Sequence, residues 1–176
     1  RQMKIQEALE RIAAGEEDSI YLQYQPILDI KYNRICSFEA LARMKTEELG
    51  IIPPLEFIPI AEETKLIIPI GKRIIYHALN FLNRLKAEGN DFVSISINIS
   101  AIQLLTDHFV SDLYELLDSM DISPESLMIE VTESMFSDKL RKMNQTFDKL
   151  KALGIEIAID DFGTGYSSFA RSQELE

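Results

Sequence analysis

Three stretches of the sequence decide the fold: residues 91–100 read DFVSISINIS, residues 127–133 read LMIEVTE and residues 155–162 read IEIAIDDF. Each stretch is rich in β-branched residues and has the length of a strand. Helix-length segments separate them, over residues 101–120 and 138–153, so that the strands recur after about thirty residues. This order predicts parallel strands joined by crossover helices, as in βαβ units.

Two architectures fit that order, a doubly wound open sheet and a (β/α)8 barrel. The alternation of aliphatic and polar residues along each strand distinguishes the two architectures. In the first strand Ile95, Ile97 and Ile99 share one face, whereas Ser96 and Asn98 share the other, and the other two strands alternate in the same way. A doubly wound sheet is covered by helices on both faces and needs aliphatic residues on both. The alternation therefore favours an α/β fold of the TIM-type (β/α)8 barrel.

The segment before these strands supplies the remaining predicted elements. Its patterns predict a helix over residues 2–14, strands over 19–28 and 35–43, a proline-rich loop, and a helix from about residue 70 to 87. The chain would then contain about five of the eight strands of a barrel, which usually takes about 250 residues. We therefore expect the barrel to be incomplete in this chain.

The composition is that of a globular domain and excludes several classes of function. There are 29 acidic and 18 basic side chains in 176 residues, and the formal net charge of −11 argues against a nucleic acid duplex as partner. The single cysteine, Cys36, fits a reducing compartment, and we expect it to be buried. The two histidines, His77 and His108, are too far apart for a histidine metal site. Prolines and charges interrupt the most apolar stretch, residues 49–75, so it predicts no membrane span.

Polar residues collect towards the C-terminal ends of the predicted strands. The last inward-facing polar residues are, in chain order, Gln25, Glu39, Asn98, Glu130 and Asp160. In a parallel barrel these ends meet at one rim, where converging carboxylates repel one another unless a cation neutralises them. Oxygen ligands without histidine or cysteine suit Mg²⁺ or Mn²⁺. The pattern therefore predicts a divalent-metal site at the rim.

Two further residues extend this hypothesis. Asp161, next to Asp160, is placed to serve a second ion, and a pair of ions suits phosphoester hydrolysis. Arg43 has the same strand parity as Glu39, and its planar guanidinium suits a phosphate. A surface ion pair stays open as the alternative for Arg43, and a solvated side chain or a helix cap is the alternative for each acid taken alone.

Several motifs resemble those of EAL domains, the cyclic di-GMP phosphodiesterases of bacteria. They follow one another in the family's order over about residues 20–171. The motifs are YQPI (24–27), EALAR (39–43), PLEFIPIAEE (54–63), NIS (98–100), EVTE (130–133) and DDFGTGYSS (160–168).

The resemblance implies a (β/α)8-type barrel with two groups of functional residues, and catalytic roles for Glu39 and Asp160. The implied metal ligands are Glu39, Asn98, Glu130 and Asp160, with Asp161 at a second metal. The implied substrate contacts lie near Gln25, Leu41 and Arg43. The implied reaction opens cyclic di-GMP to linear pGpG with Mg²⁺ or Mn²⁺ and a metal-activated water.

The same resemblance sets the expected domain organisation. Residues 1–18 would be a linker helix from an upstream sensory or cyclase domain, and residues 19–176 a partial EAL domain. The partners would be cyclic di-GMP, other domains of a multidomain signalling protein, and a second copy in a homodimer or another self-association. The expected location is cytoplasmic, either free or as the cytoplasmic part of a membrane-anchored parent.

The ends of the chain suggest a fragment. It begins at Arg1 and stops before the family's later motifs, among them a strand with a catalytic lysine. We therefore expect the full-length parent to be the enzyme and this chain alone to be inactive. A non-catalytic module that binds cyclic di-GMP or another protein is the alternative function. The enzyme is favoured because every metal ligand that this part of the family pattern contains is present.

Overall fold

The structure is a computed structural model that describes residues 1–132 and 140–160. Its helices and strands alternate along most of the chain. In chain order they are α1 (Gln2–Ala14), β1 (Ile20–Asp29), β2 (Arg34–Thr46), β3 (Gly50–Ile52), α2 (Pro54–Glu63), α3 (Ile67–Ala87), β4 (Ser94–Asn98), α4 (Ala101–Leu104), α5 (Phe109–Ser119), β5 (Leu127–Thr132), α6 (Leu140–Ala152) and β6 (Glu156–Asp160), with a 3₁₀ turn at Pro124–Ser126.

The strands form one mostly parallel sheet in the order β1-β2-β4-β5-β6, with β3 paired to β2. β2, β4, β5 and β6 run parallel to one another. The chain crosses from β4 to β5 through α4 and α5, and from β5 to β6 through α6. Within the described residues β1 and β6 lie at the two ends of the sheet, which does not close on itself. The predicted α/β class and the three crossover strands are thus confirmed.

The first two strands differ from the prediction of parallel pairing, because β1 and β2 form an antiparallel hairpin. Only residues 30–33 connect them, which is far too short for a crossover to a parallel strand. Oδ1 of Asp29 stabilises the turn by accepting hydrogen bonds from the backbone nitrogens of Lys31 and Tyr32, at 2.9 and 3.2 Å. The predicted burial of Cys36, near the start of β2, is also wrong, since this residue is partly exposed.

Two other segments differ from the sequence prediction. The proline-rich loop contains a helix, α2, because Pro54 occupies its first position, where a backbone N–H is not needed. The single helix predicted over residues 101–120 is divided into α4 and α5. The hydroxyl of Thr106 donates to the carbonyl of Gln103 over 2.8 Å, a side-chain contact that competes with helical continuation.

The core lies between the sheet and the helices and includes the N-terminal helix. Ile5, Leu9 and Ile12 of α1 are each at most 1% exposed, and α1 packs against α2 and α3. Arg73 of α3 secures the end of α1, since its guanidinium donates to the carbonyl of Ile12 over 2.7 Å. The helix at residues 2–14 is therefore part of this packed unit, while its link to an upstream domain stays a prediction. Among the described helices, none has the length and apolar character that a membrane span requires.

Candidate functional site

Three neighbouring strands bring together the central residues of the predicted site. Glu39 of β2 lies beside Ser96 of β4, and Asn98 lies beside Glu130 of β5. The amide Nδ2 of Asn98 donates a hydrogen bond of 3.0 Å to Oε1 of Glu39. Parallel pairing with this register is what places side chains from separate parts of the sequence on one patch of the sheet.

Gln25 reaches the same region by a different route from the one predicted. It lies in the middle of β1, directly opposite Glu39 in the antiparallel hairpin, and its side chain is exposed. The prediction that Gln25 ends a parallel strand at the shared rim is therefore wrong, because β1 runs in the opposite direction. Gln25 lies next to Glu39 because the register of the β1–β2 hairpin pairs these two residues.

Asp160 is the last residue of β6, and its backbone lies beside that of Thr132 at the end of β5. This strand position agrees with the predicted placement at a C-terminal strand end. Asp161 and the motif of residues 163–168 lie outside the described residues. The metal-binding roles assigned to Asp160 and Asp161 stay predictions.

A cavity of about 500 Å³ opens above these strands. One wall is formed by the middle of β2 with the ends of β4 and β5, and the facing wall by α2 and the start of α3. The strand residues that line it include Glu39, Leu41, Arg43, Asn98, Glu130 and Thr132. The structure thus brings five of the eight predicted site residues into one cavity, with Gln25 beside Glu39 outside the lining.

Arg43 lies in the cavity wall and makes polar contacts with neutral groups. Its Nε donates to Oε1 of Gln23 over 2.8 Å, and its Nη1 donates to the carbonyl of Ala42 over 2.9 Å. None of the ion pairs found among the described residues includes Arg43. The structure therefore shows a guanidinium that is oriented by neutral acceptors and keeps its charge available to an anion.

The chemistry of the cavity suits a hard divalent cation. Two carboxylates, Glu39 and Glu130, and the amide of Asn98 line the same wall, and oxygen donors of these types are what Mg²⁺ and Mn²⁺ prefer. Ser100, whose side chain takes part in the capping box at the start of α4, is also buried at this wall. Among the side chains that the structure describes, no three acidic, histidine or cysteine residues are grouped so that they could hold a metal ion.

Sequence reasoning missed a carboxylate on the facing wall. Glu62, in the last turn of α2, lines the cavity, and its partial burial raises the pKa of its carboxyl group above the usual value. The signal was present in the helical spacing of Leu55, Ile58, Pro59 and Glu62, which places them on one face. A segment that is predicted to be a loop has no such face.

The model of the EAL domain family matches residues 4–176. The chain is a member of the EAL domain family. Among the solved structures, the EAL enzyme Bd1971 with cAMP and cyclic di-GMP bound superposes on 99% of this chain and 48% of that one, with a TM-score of 0.87 and 31% identity. The PaMucR phosphodiesterase in complex with c-di-GMP superposes on 98% of this chain and 68% of that one, with a TM-score of 0.84 and 32% identity. These similarities confirm the predicted TIM-type barrel, of which this EAL domain shows an incomplete part.

Curated relatives give the same assignment. This EAL domain is 41% identical over 157 residues to the signaling protein YkoW of Bacillus subtilis, covering 89% of the chain and 20% of the relative. It is 34% identical over 163 residues to the cyclic di-GMP phosphodiesterase PA2567 of Pseudomonas aeruginosa, covering 93% of the chain and 28% of the relative. With PdeR of Escherichia coli, a cyclic di-GMP phosphodiesterase, identity is 32% over 90% of the chain and 24% of the relative. The chain therefore spans less than a third of the length of these relatives.

Proposed function

We propose that the protein to which this EAL domain belongs is a phosphodiesterase that hydrolyses cyclic di-GMP to linear pGpG. The observation that carries this proposal is the convergence of Glu39, Asn98 and Glu130 in a cavity that also contains Arg43. Family membership and the names of relatives such as PA2567 support the choice of substrate.

The metal ligands in this proposal are oxygen donors on neighbouring parallel strands, in the middle of β2 and at the ends of β4, β5 and β6. Glu39, Asn98, Glu130 and Asp160 would hold Mg²⁺ or Mn²⁺, and Asp161 would serve a second ion. When bound, such ions make water a stronger nucleophile and stabilise charge on phosphate oxygens. Glu39 already lies within hydrogen-bond distance of Asn98, so little rearrangement of the protein is needed to bring these two donors together.

The other cavity residues would bind and orient the substrate. The guanidinium of Arg43 is held by Gln23 and by the carbonyl of Ala42, and it would contact a phosphate of the dinucleotide. Leu41 lies between Glu39 and Arg43 on the same strand and lines the cavity, where it would contact the sugar or base. Gln25, opposite Glu39, would contact the substrate from the edge of the site.

The test is hydrolysis of cyclic di-GMP by the full-length protein with Mg²⁺ or Mn²⁺, with pGpG measured by chromatography. Glu39→Gln should abolish turnover and leave the fold intact, whereas Glu47→Gln, an exposed carboxylate just past the end of β2, should have no effect. Absence of hydrolysis by the wild-type protein would contradict the proposal. Binding without hydrolysis would instead indicate the non-catalytic alternative.

The assembly is also part of the proposal. The parent would be a multidomain signalling protein, because the chain spans only 20% of YkoW and 28% of PA2567. Its location would be cytoplasmic, either free or as the cytoplasmic part of a membrane-anchored protein. The 176-residue chain by itself would be inactive and would self-associate, as a homodimer or larger assembly, through the strand edges at β1 and β6. Unpaired N–H and C=O groups on such edges favour pairing with another chain.

A further inference from the structure

The helix α2 presents a mixed face to the cavity. Leu55, Ile58 and Pro59 line it, and their spacing of three and four residues continues to Glu62 in the last turn. The opposite face of α2, with Phe57 and Ala61, is fully buried in the core. The cavity face of α2 is thus an apolar surface that ends in a single carboxylate.

The position of Glu62 is electrostatically unfavourable in the free protein. Its carboxylate forms no hydrogen bond or ion pair within residues 1–132 and 140–160, and burial raises the pKa of this group. It lies at the C-terminal end of a helix, where the helix dipole disfavours negative charge, and the last turn of α2 contains no basic residue. A ligand that brings N–H donors to this point would relieve that cost.

The charge of the cavity limits what such a ligand can be. Glu39 and Glu130 belong to the proposed metal site, and bound cations would neutralise them. Glu62 belongs to the facing wall and has no such role, yet the proposed substrate carries two phosphates that a free carboxylate repels. The donors must therefore come from an uncharged part of the substrate. In cyclic di-GMP these parts are the ribose 2′-hydroxyls and the bases, and only a base offers two adjacent N–H donors to one carboxylate.

We propose that Glu62 recognises a guanine base of cyclic di-GMP by accepting hydrogen bonds from the ring N1–H and the exocyclic N2 amino group. This inference rests on the proposed function and adds the residue that selects the base. Leu55, which is 91% exposed in the free protein, and Pro59 supply apolar surface against which the face of the base packs.

The chemistry of the two purines makes this contact selective. Guanine presents two adjacent donors to a carboxylate, and the resulting pair is charge-assisted and bidentate. Adenine has an acceptor at N1 and no amino group at C2, so the same carboxylate meets a lone pair. A site built to pair with donors rejects an analogue that lacks them, because its polar group is then left unpaired.

The experiment compares binding of cyclic di-GMP and cyclic di-AMP to the full-length protein by calorimetry, with Ca²⁺ replacing Mg²⁺ and with chromatography to verify that the ligand stays intact. Glu62→Gln should weaken binding of cyclic di-GMP about tenfold to a hundredfold and change binding of cyclic di-AMP less than twofold. Glu63→Gln is the matched control, because Glu63 is adjacent, exposed and absent from the cavity lining.

Three outcomes would overturn the inference. Cyclic di-GMP binding within twofold of wild type in Glu62→Gln would remove Glu62 from the substrate contacts. Equal weakening of both dinucleotides would indicate a general structural or charge effect. If the wild-type protein bound no cyclic di-GMP at all, the proposed function would fail first and this inference with it, so the two failures are distinguishable.

Discussion

Asn98 of β4 donates a hydrogen bond from Nδ2 to Oε1 of Glu39 on β2, over a distance of 3.0 Å. In this contact the amide nitrogen faces the carboxylate, whereas a metal ion would require the amide oxygen. The hydrogen bond therefore holds the pair together in the free protein, and rotation of the amide would convert the same two side chains into two oxygen ligands.

The hydrogen bond between Asn98 and Glu39 predicts how a further carboxylate at position 98 would affect stability and metal binding. Asn98→Asp replaces a donor by an acid beside Glu39, so repulsion between like charges should lower the melting temperature of the full-length protein without divalent ions. Mg²⁺ or Mn²⁺ should raise the melting temperature of this variant more than that of the wild type, because binding to the folded state is stabilising. Calorimetric melting with and without MgCl₂, against KCl of equal ionic strength, measures the difference. Equal responses would contradict the predicted metal site.

Arg43 should contribute to substrate affinity more than to metal affinity. Arg43→Ala removes a charge-assisted contact of about 1.5 to 3 kcal/mol, so binding of cyclic di-GMP should weaken about tenfold or more. Calorimetry with the dinucleotide and, separately, with Mn²⁺ gives both affinities. Unchanged affinity for cyclic di-GMP would leave Arg43 with the structural role that its contacts to Gln23 and Ala42 describe.

Gly71 of α3 is required for close packing next to the site. A Cβ atom at this position would lie 1.9 Å from Nε2 of Gln103. Oε1 of the same glutamine accepts a hydrogen bond from the backbone nitrogen of Ser100 over 3.1 Å. Gln103 is only 5% exposed, so it has little room to move. Gly71→Ala should lower the free energy of unfolding by about 1 to 3 kcal/mol.

A second substitution tests the cause of that loss. Gln103→Ala creates the space that the added methyl group needs, so the double variant should be more stable than the sum of the two single effects predicts. Chemical denaturation of all four proteins completes the cycle. Strict additivity would show that the overlap between Gly71 and Gln103 is not what makes glycine necessary.

Two adjacent cations on α3 should differ in their contribution to stability. Arg73 donates to the carbonyls of Ile12 and Glu17 and pairs with Asp18 at 2.8 Å. Arg73→Ala should therefore cost about 1 to 3 kcal/mol, because the partly buried carbonyls of Ile12 and Glu17 each lose a hydrogen bond from the guanidinium. Among the described residues, Lys72 pairs with Asp112 alone, at the surface, and Lys72→Ala should cost less than about 1 kcal/mol. Urea denaturation compares the two, and equal losses would contradict the capping role of Arg73.

Glu62 should reduce the stability of the free protein in a pH-dependent way. Because burial raises its pKa in the folded state, the folded protein binds this proton more tightly than the unfolded chain, and stability falls as the pH rises through the Glu62 pKa. Glu62→Gln removes the penalty, so the variant should be more stable than wild type at pH 7. The advantage should shrink as the pH falls towards 4.5, the ordinary value for glutamate. An advantage independent of pH would have another cause.

The sequence predicted the elements whose local pattern agrees with their final environment. β4, β5 and β6 were located to within a few residues because their aliphatic residues alternate as half-buried strands require. Glu39, Asn98 and Glu130 were identified from the same alternation, since parity decides which side chains share a face.

The errors arise where short-range signals allow more than one outcome. Pro54 was interpreted as a loop residue, although a proline at the first position of a helix is favourable. Pro59 was interpreted in the same way, yet it lies inside the same helix. The direction of β1 depends on the length of the turn before Arg34, which is too short for a crossover to a parallel strand. Glu62 was not predicted to line the site, because its position depends on how α2 packs against the sheet, and no strand pattern contains that information.

The β1–β2 hairpin also has a consequence for the order of folding. Residues 30–33 close it, whereas β2 and β4 pair only after residues 47–93 have been brought together, and contacts between distant segments form more slowly than local ones. We expect the hairpin to form first and to offer the edge of β2 as a template for β4. Glu39 is then in place before Asn98 arrives, so the two halves of the site are assembled at different times.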